Sequence, residues 1–204
     1  PYTHFVSLPL RGFDNRMAAF QEAALPLIAL TRHSDAKGQT YHPTHLFSKP
    51  AKLHLTVCMV TIMKRPEDIE RARAALASIP LPKRLTVKLS GLDLIKGTPD
   101  HANCLYCRVV PNPDLDALGK SIRAAFLDAG LTDAAFEPLW HCTLMNTKYF
   151  DLHYKTHGTA FDARKILRKV DGDFGEVMVG EIHLSKLNAT SLDGYYASEF
   201  SRSL

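Results

Sequence analysis

The chain has 204 residues, 46% of them hydrophobic and 23% charged. That length suits one sizeable domain or two fused small lobes, and the apolar share is that of a globular core, not of a disordered or fibrous chain. Lysine plus arginine number 25 against 21 aspartate plus glutamate; the resulting +4 suits an anionic ligand but does not by itself establish one. Residues 5–10 read as a first strand. Residues 14–31 follow a helical apolar pattern (Met17, Phe20, Ala24, Leu27, Ile28), with Pro26 placed to kink or break it. Residues 31–50 hold Gly38, Pro43 and three histidines and read as a loop. A strand is expected over 52–63, then a helix opened by Pro66 at its first turn.

Further along, residues 85–89 alternate as a half-buried strand. Residues 105–110 pair with it across a loop containing Gly97 and Pro99. Leu115, Leu118, Ile122, Ala125 and Phe126 mark a helix closed by Gly130. A strand over 139–149 follows, then a short basic helix at 164–169 that Asp162 is able to cap. Its lysines and arginines read as a solvated face. Strands over 177–187 and 195–200 finish the chain. No low-complexity tract divides it, so residues 1–204 read as one two-lobed domain.

Two strings in this order share one pattern. His54-Leu55-Thr56-Val57 and His141-Cys142-Thr143-Leu144 both read His, apolar, Thr, apolar, and both sit in β-rich runs. In a strand, residues i and i+2 share a face, so His54 and Thr56 point one way, as do His141 and Thr143. One HxT string in a strand is usually structural; two in matching contexts point to shared chemistry. Each is followed by a helix, and the histidines are 87 residues apart (141 minus 54), which fits one per lobe. Histidine titrates near neutrality, so one imidazole is able to serve as base and the other as acid. The threonine hydroxyls are placed to donate to phosphate oxygens where charge accumulates. Together these groups suffice to cleave a phosphodiester, and no HExxH string or carboxylate cluster demands a metal or other cofactor.

Around them, Lys52 and Lys148 are candidates to reach phosphate or simply to be solvated. Phe5, Tyr149, Tyr195 and Tyr196 are candidates to stack a base, or to pack in the core. The other histidines have plainer readings. His33, His42, His45, His101, His153 and His157 fall in loops, and His183 reads as partly buried in a strand. His4 is open to either reading. Cys104-Leu105-Tyr106-Cys107 is a lone CxxC and points only weakly to zinc. Cys58 and Cys142 read as packing residues. Without a signal peptide or an apolar run of membrane-spanning length, the expectation is an intracellular chain, nuclear or cytoplasmic, with reduced thiols. Because it begins at Pro1, it reads as a domain cut from something longer.

The paired HxT strings resemble the two-histidine (2H) phosphoesterase superfamily, which includes 2′-5′ RNA ligase-like proteins. Within it the chain looks most like the phosphoesterase-like domain of A-kinase anchoring proteins and of activating signal cointegrator 1 complex subunit 1. Strings 3–10, 52–57, 140–147, 161–167 and 193–198 carry that resemblance. It implies an α+β, bilobal fold with two antiparallel sheets around a central cleft. It implies His54 and His141 as acid and base, and Thr56 and Thr143 as phosphate ligands. RNA or nucleotide would occupy the cleft, with coactivator-complex proteins as further partners. The cointegrator subunit carries an upstream RNA-binding KH domain; here the only GxxG is Gly172-Asp173-Phe174-Gly175, which reads as a turn. Three functions stay open: a metal-independent phosphodiesterase, a catalytically silent nucleotide- or RNA-binding module, and a scaffold subunit.

Overall fold

The computed structural model describes residues 2–32, 40–63, 65–133 and 139–204. Its elements run β1 (His4–Pro9), α1 (Asp14–Ala24), β2 (Ala29–Arg32), β3 (His54–Val60), α2 (Pro66–Ser78), β4 (Leu85–Thr98) and β5 (His101–Val109). They continue with α3 (Pro113–Asp128), β6 (His141–Asn146), α4 (Thr147–Tyr154), β7 (Ala160–Asp162), α5 (Arg164–Lys169), β8 (Asp173–Val179), β9 (Glu181–Thr190) and β10 (Tyr196–Ser203). The fold is α+β with two antiparallel sheets. One has the strand order β10-β9-β1-β3; the other has β2-β7-β5-β4-β8, with β6 also paired to β5.

The faint repeat in the sequence has a structural counterpart. The series β3-β1-β9-β10 in the first sheet corresponds to β6-β5-β4-β8 in the second. β3 is paired to β1 and β6 to β5, and β6 is bridged on its other side by Phe47 at Met145. The two strands meet at their histidine ends, where the buried Cys142 thiol of β6 hydrogen-bonds with the backbone of His54 in β3. The segment leading into β3 ties the lobes further, with Ser48 N donating to the Leu144 carbonyl at 2.8 Å. One apolar core runs through both lobes, from Leu8, Leu55 and Ile182 to Leu105, Leu144 and Phe161, all fully buried.

Local chemistry sets the element ends. Pro26 ends α1 at Ala24 in a short 3₁₀ turn over Leu25–Leu27, because proline has no N–H to continue the ladder. The expected helix to residue 31 therefore gives way to β2. Pro66 opens α2, with Glu67 and Asp68 in its first turn, where negative charge meets the positive end of the helix dipole. Asn112 caps α3 by accepting from Leu115 N at 3.0 Å. The loop expected at 31–50 carries 3₁₀ turns at Pro43–Leu46 and Pro50–Lys52. His33 lies outside the described residues.

Three sequence expectations need correction. The strands at 85–89 and 105–110 lengthen into a long hairpin, so Gly97 lies in β4 and not in a loop. The single strand expected over 177–187 breaks at Gly180, with β8 joining the second sheet and β9 the first. The 172–175 string is not a turn. From Asp173 onward it is the start of β8, where Phe174 is the extra residue between the pairs Ser90–Asp173 and Leu89–Gly175. Asp162 accepts from Arg164 N at 2.9 Å, one residue before the N-cap position of α5, which Ala163 occupies.

Candidate active site

β3 and β6 present their motifs in the same way. Each begins at its histidine. In each, the His and Thr are partly exposed while the apolar residue between them is buried, Leu55 in one and Cys142 in the other. Each strand then carries a bulge at the fourth motif residue. Val57 is extra between the pairs Ser7–Thr56 and Val6–Cys58, and Leu144 is extra between Tyr106–Thr143 and Leu105–Met145. A bulge turns two successive side chains toward one side and twists the strand. Here it buries both Val57 and Cys58, and both Leu144 and Met145, so the exposed stripe ends at the threonine.

The imidazoles are anchored alike. His54 Nδ1 lies 2.7 Å from the carbonyl of Lys52, and His141 Nδ1 lies 2.6 Å from the carbonyl of Leu139. A carbonyl only accepts, so each Nδ1 carries the proton and each Nε2 is left as the reactive nitrogen. The 3₁₀ turn Pro50–Lys52 orients one carbonyl. Trp140 fixes the approach to the other by donating Nε1–H to Asp116 at 2.8 Å. Its ring lies against Gly119 of α3, where a Cβ would come within 2.5 Å of it.

Burial pushes the His54 pKa from 6.5 down to about 4; the bond to the Lys52 carbonyl opposes this, and the nearby His141 and Lys52 charges add to it. His141 is also lowered by burial, against the bond to Leu139, but by a smaller amount. Both rings are therefore neutral in the empty site near pH 7.

The surroundings of the two histidines differ. His54 is packed by Phe5 at 5.2 Å and Tyr196 at 5.3 Å between ring centroids, with Tyr195 at 6.4 Å. Phe5 is only 3% exposed and Tyr195 only 1%, so neither has a face left for a base. Their place is structural, because the rings bury the side of His54 that faces the first sheet. Tyr195 instead bonds to Ser7 at 2.8 Å. Lys52 ends a 3₁₀ turn and does not lie in the strand. Its ammonium donates to Thr190 at 2.8 Å and sits 4.6 Å above the Tyr196 ring. Tyr149 belongs to α4, since β6 stops at Asn146, whose side chain accepts from Lys148 N at 2.9 Å and caps the helix. The Tyr149 side chain is bonded to Ser48 and Tyr196, joining the lobes.

On the other side, β5 supplies residues that sequence reasoning missed. Tyr106 lies opposite Thr143 and Arg108 opposite His141, on the same face of the sheet. The Tyr106 ring is 5.5 Å from that of His141, and Arg108 lies 3.9 Å from Asp93. Cys104 Sγ is 3.9 Å from the Thr143 hydroxyl. Next to these a cavity of about 590 Å³ is lined by His141, Thr143, Lys148 and neighbours in β4 and β5, but not by His54 or Thr56. All four cysteines are free and buried, and burial raises each thiol pKa. His153 lies in α4 and not in a loop, its ring stacked 3.5 Å from that of His45. His183 is buried in β9 beside Glu181, at 3.0 Å.

This paired arrangement agrees with comparison to known proteins. Residues 2–204 match the family model described as the AKAP7 2′5′ RNA ligase-like domain. The chain belongs to that family. As an AKAP7 2′5′ RNA ligase-like domain it falls within the 2H phosphoesterases. It is 25% identical over 228 residues to activating signal cointegrator 1 complex subunit 1 of Mus musculus, a match covering 97% of this chain and 62% of that protein. The chain thus spans less than two thirds of that relative. Among solved structures, the domain is similar to a phosphoesterase (TM-score 0.65, 15% identity, covering 100% of this chain and 98% of the other). It is also similar to E. coli LigT complexed with 3′-AMP (TM-score 0.62, 15% identity, 100% and 98%). At these identities the likeness is one of fold. Among the described residues, no helix is long and apolar enough to cross a membrane.

Proposed function

We propose that the domain is a metal-independent phosphodiesterase acting on RNA or nucleotide phosphodiesters: RNA ends, 2′,3′-cyclic phosphates or 2′-5′ linkages. The observation that carries this reading is the matched pair of imidazoles, each tied through Nδ1 to a backbone carbonyl and left with Nε2 for chemistry. His54, enclosed by rings and kept neutral down to about pH 4, is the base that takes the proton of the attacking hydroxyl or water. His141, beside the open cavity, is the acid that protonates the departing oxygen. Its proton is held once the phosphate anion arrives, because a nearby negative charge favours the imidazolium. Thr56 and Thr143 donate to the non-bridging oxygens. Acid, base and donors are all side chains, so the step as written draws on no metal.

A second reading has its own support. Burial leaves both imidazoles neutral in the empty site, and the relative is named as a subunit of a complex. That combination suits a silent nucleotide- or RNA-binding module of a coactivator assembly, in the nucleus or cytoplasm, with protein partners outside the cleft. Rate and affinity measured on the same proteins separate the two. Under the phosphodiesterase reading, Thr56→Val and Thr143→Val should each lower kcat/KM by about 10- to 100-fold, less than a histidine deletion, because other donors still hold the phosphate. Tight binding of a nucleoside monophosphate by a wild-type domain that cleaves no phosphodiester would establish the module instead.

A further inference from the structure

The cavity beside His141 and Thr143 is an extension of the phosphate site toward one side only. Its volume of about 590 Å³ is in the range of pockets that hold a small ligand. Ile95 and Lys96 of β4, and Lys148, Asp151 and Leu152 of α4, form much of its wall, and no residue of the first sheet does. The corresponding space beside His54 is filled by Phe5, Tyr195 and Tyr196.

The charges in this cavity do not cancel. The Asp151 carboxylate, itself on the wall, accepts from the hydroxyls of Thr156 at 2.7 Å and Thr159 at 2.5 Å and is outnumbered by Lys96 and Lys148. Among the described residues, neither Lys96 nor Lys148 has an ion-pair partner. Lys96 lies close enough to Cys104 to act on its thiol, and Cys104 in turn contacts Thr143. The walls also carry two apolar side chains left open to solvent, Ile95 at 36% exposure and Leu152 at 69%. Exposed apolar surface beside convergent polar groups marks a binding site more often than a solvated face.

We infer that this cavity is a subsite for the neighbouring nucleotide of an RNA chain, with its phosphate on Lys96 and Lys148 and its sugar or base against Ile95 and Leu152. The inference rests on reading the paired histidines as a phosphodiester site. It adds that the preferred ligand is a linear oligonucleotide carrying a second internucleotide phosphate, not a mononucleoside cyclic phosphate. Lys96 becomes a specificity-determining residue that the sequence did not point to.

The test uses uridine 2′,3′-cyclic phosphate, UpU, UpUpU and 5′-phosphorylated pUpU as ligands for the wild-type domain, Lys96→Ala, Lys148→Ala and the double variant. Both affinity and kcat/KM are measured. In the wild type, UpUpU should exceed UpU by about 10-fold or more, the scale of a phosphate held by two cations. In the double variant that advantage should fall below about threefold, and the slope of log affinity against log salt should fall by about 0.7, the share of one phosphate. The inference is overturned if the second phosphate brings no gain, if the gain survives both substitutions, or if pUpU gains while UpUpU does not. If no ligand is cleaved, the phosphodiesterase reading fails, yet the affinities still decide the subsite.

Discussion

His54→Ala and His141→Ala should each lower kcat on a short RNA by 10²-fold or more, the scale of losing a positioned acid or base. The two variants should then part company on an activated substrate. A p-nitrophenyl phosphodiester releases an anion stable enough to leave without a proton. The loss in His141→Ala should largely disappear on it, because the acid has no task left. The loss in His54→Ala should persist, because the attacking hydroxyl or water still has to be deprotonated. This difference follows from the packing: His54 is walled in by Phe5 and Tyr196, while His141 borders the open cavity where a departing nucleoside has room. Melting temperatures close to wild type would show that the deficits are chemical. Persistence of the loss in His141→Ala, with recovery in His54→Ala, would reverse the two roles.

The pH dependence should carry the same asymmetry. Under the phosphodiesterase reading, the free enzyme works when His54 is neutral and His141 is charged. kcat/KM should therefore rise through about pH 4, where His54 loses its proton. It should fall again as pH rises further, along a limb centred below pH 6.5, where His141 loses its own. Bound phosphate raises both values, so the optimum for kcat should lie at higher pH than that for kcat/KM. Stability responds as well. His54 binds a proton near pH 6.5 when unfolded but only near pH 4 when folded. Between those limits the unfolded chain holds more protons, and stability falls as pH falls. The gap between 6.5 and about 4 is worth about 3 kcal/mol at 1.36 kcal/mol per pH unit. Denaturant titrations from pH 7 to pH 4 should show that loss in the wild type and a smaller one in His54→Gln. A kcat/KM optimum above pH 7 would contradict the assignment.

The sequence carried the motif strands because their signal is local. Strand parity alone puts His54 with Thr56 and His141 with Thr143. What it did not carry is non-local. That Arg108 and Tyr106 share a face with His141 depends on the β5–β6 register, which no window of β5 reveals. The bulges at Val57 and Leu144 leave only adjacent apolar residues as a trace. For Phe5 and Tyr195 the sequence leaves stacking and core packing both open, because aromatic residues near strand ends serve either. Tertiary packing decides for the core, with both rings buried against His54. The break at Gly180 sends adjoining strands to different sheets, and an unbroken β-forming run hides such a switch. The sequence reads Lys148 as lying in the second motif strand, past the motif itself, but Asn146 caps a helix there, which places Lys148 at the cavity wall. Lys96 went unnoticed because the hairpin that lifts it toward Cys104 was read as a loop.

The most direct measurement is turnover of short RNAs and of nucleoside 2′,3′-cyclic phosphates by the purified wild-type domain in excess EDTA. Two histidines and two threonines are sufficient for the proposed step, so cleavage should proceed at the same rate with and without the chelator. Activity abolished by EDTA and restored by zinc or magnesium would contradict the account.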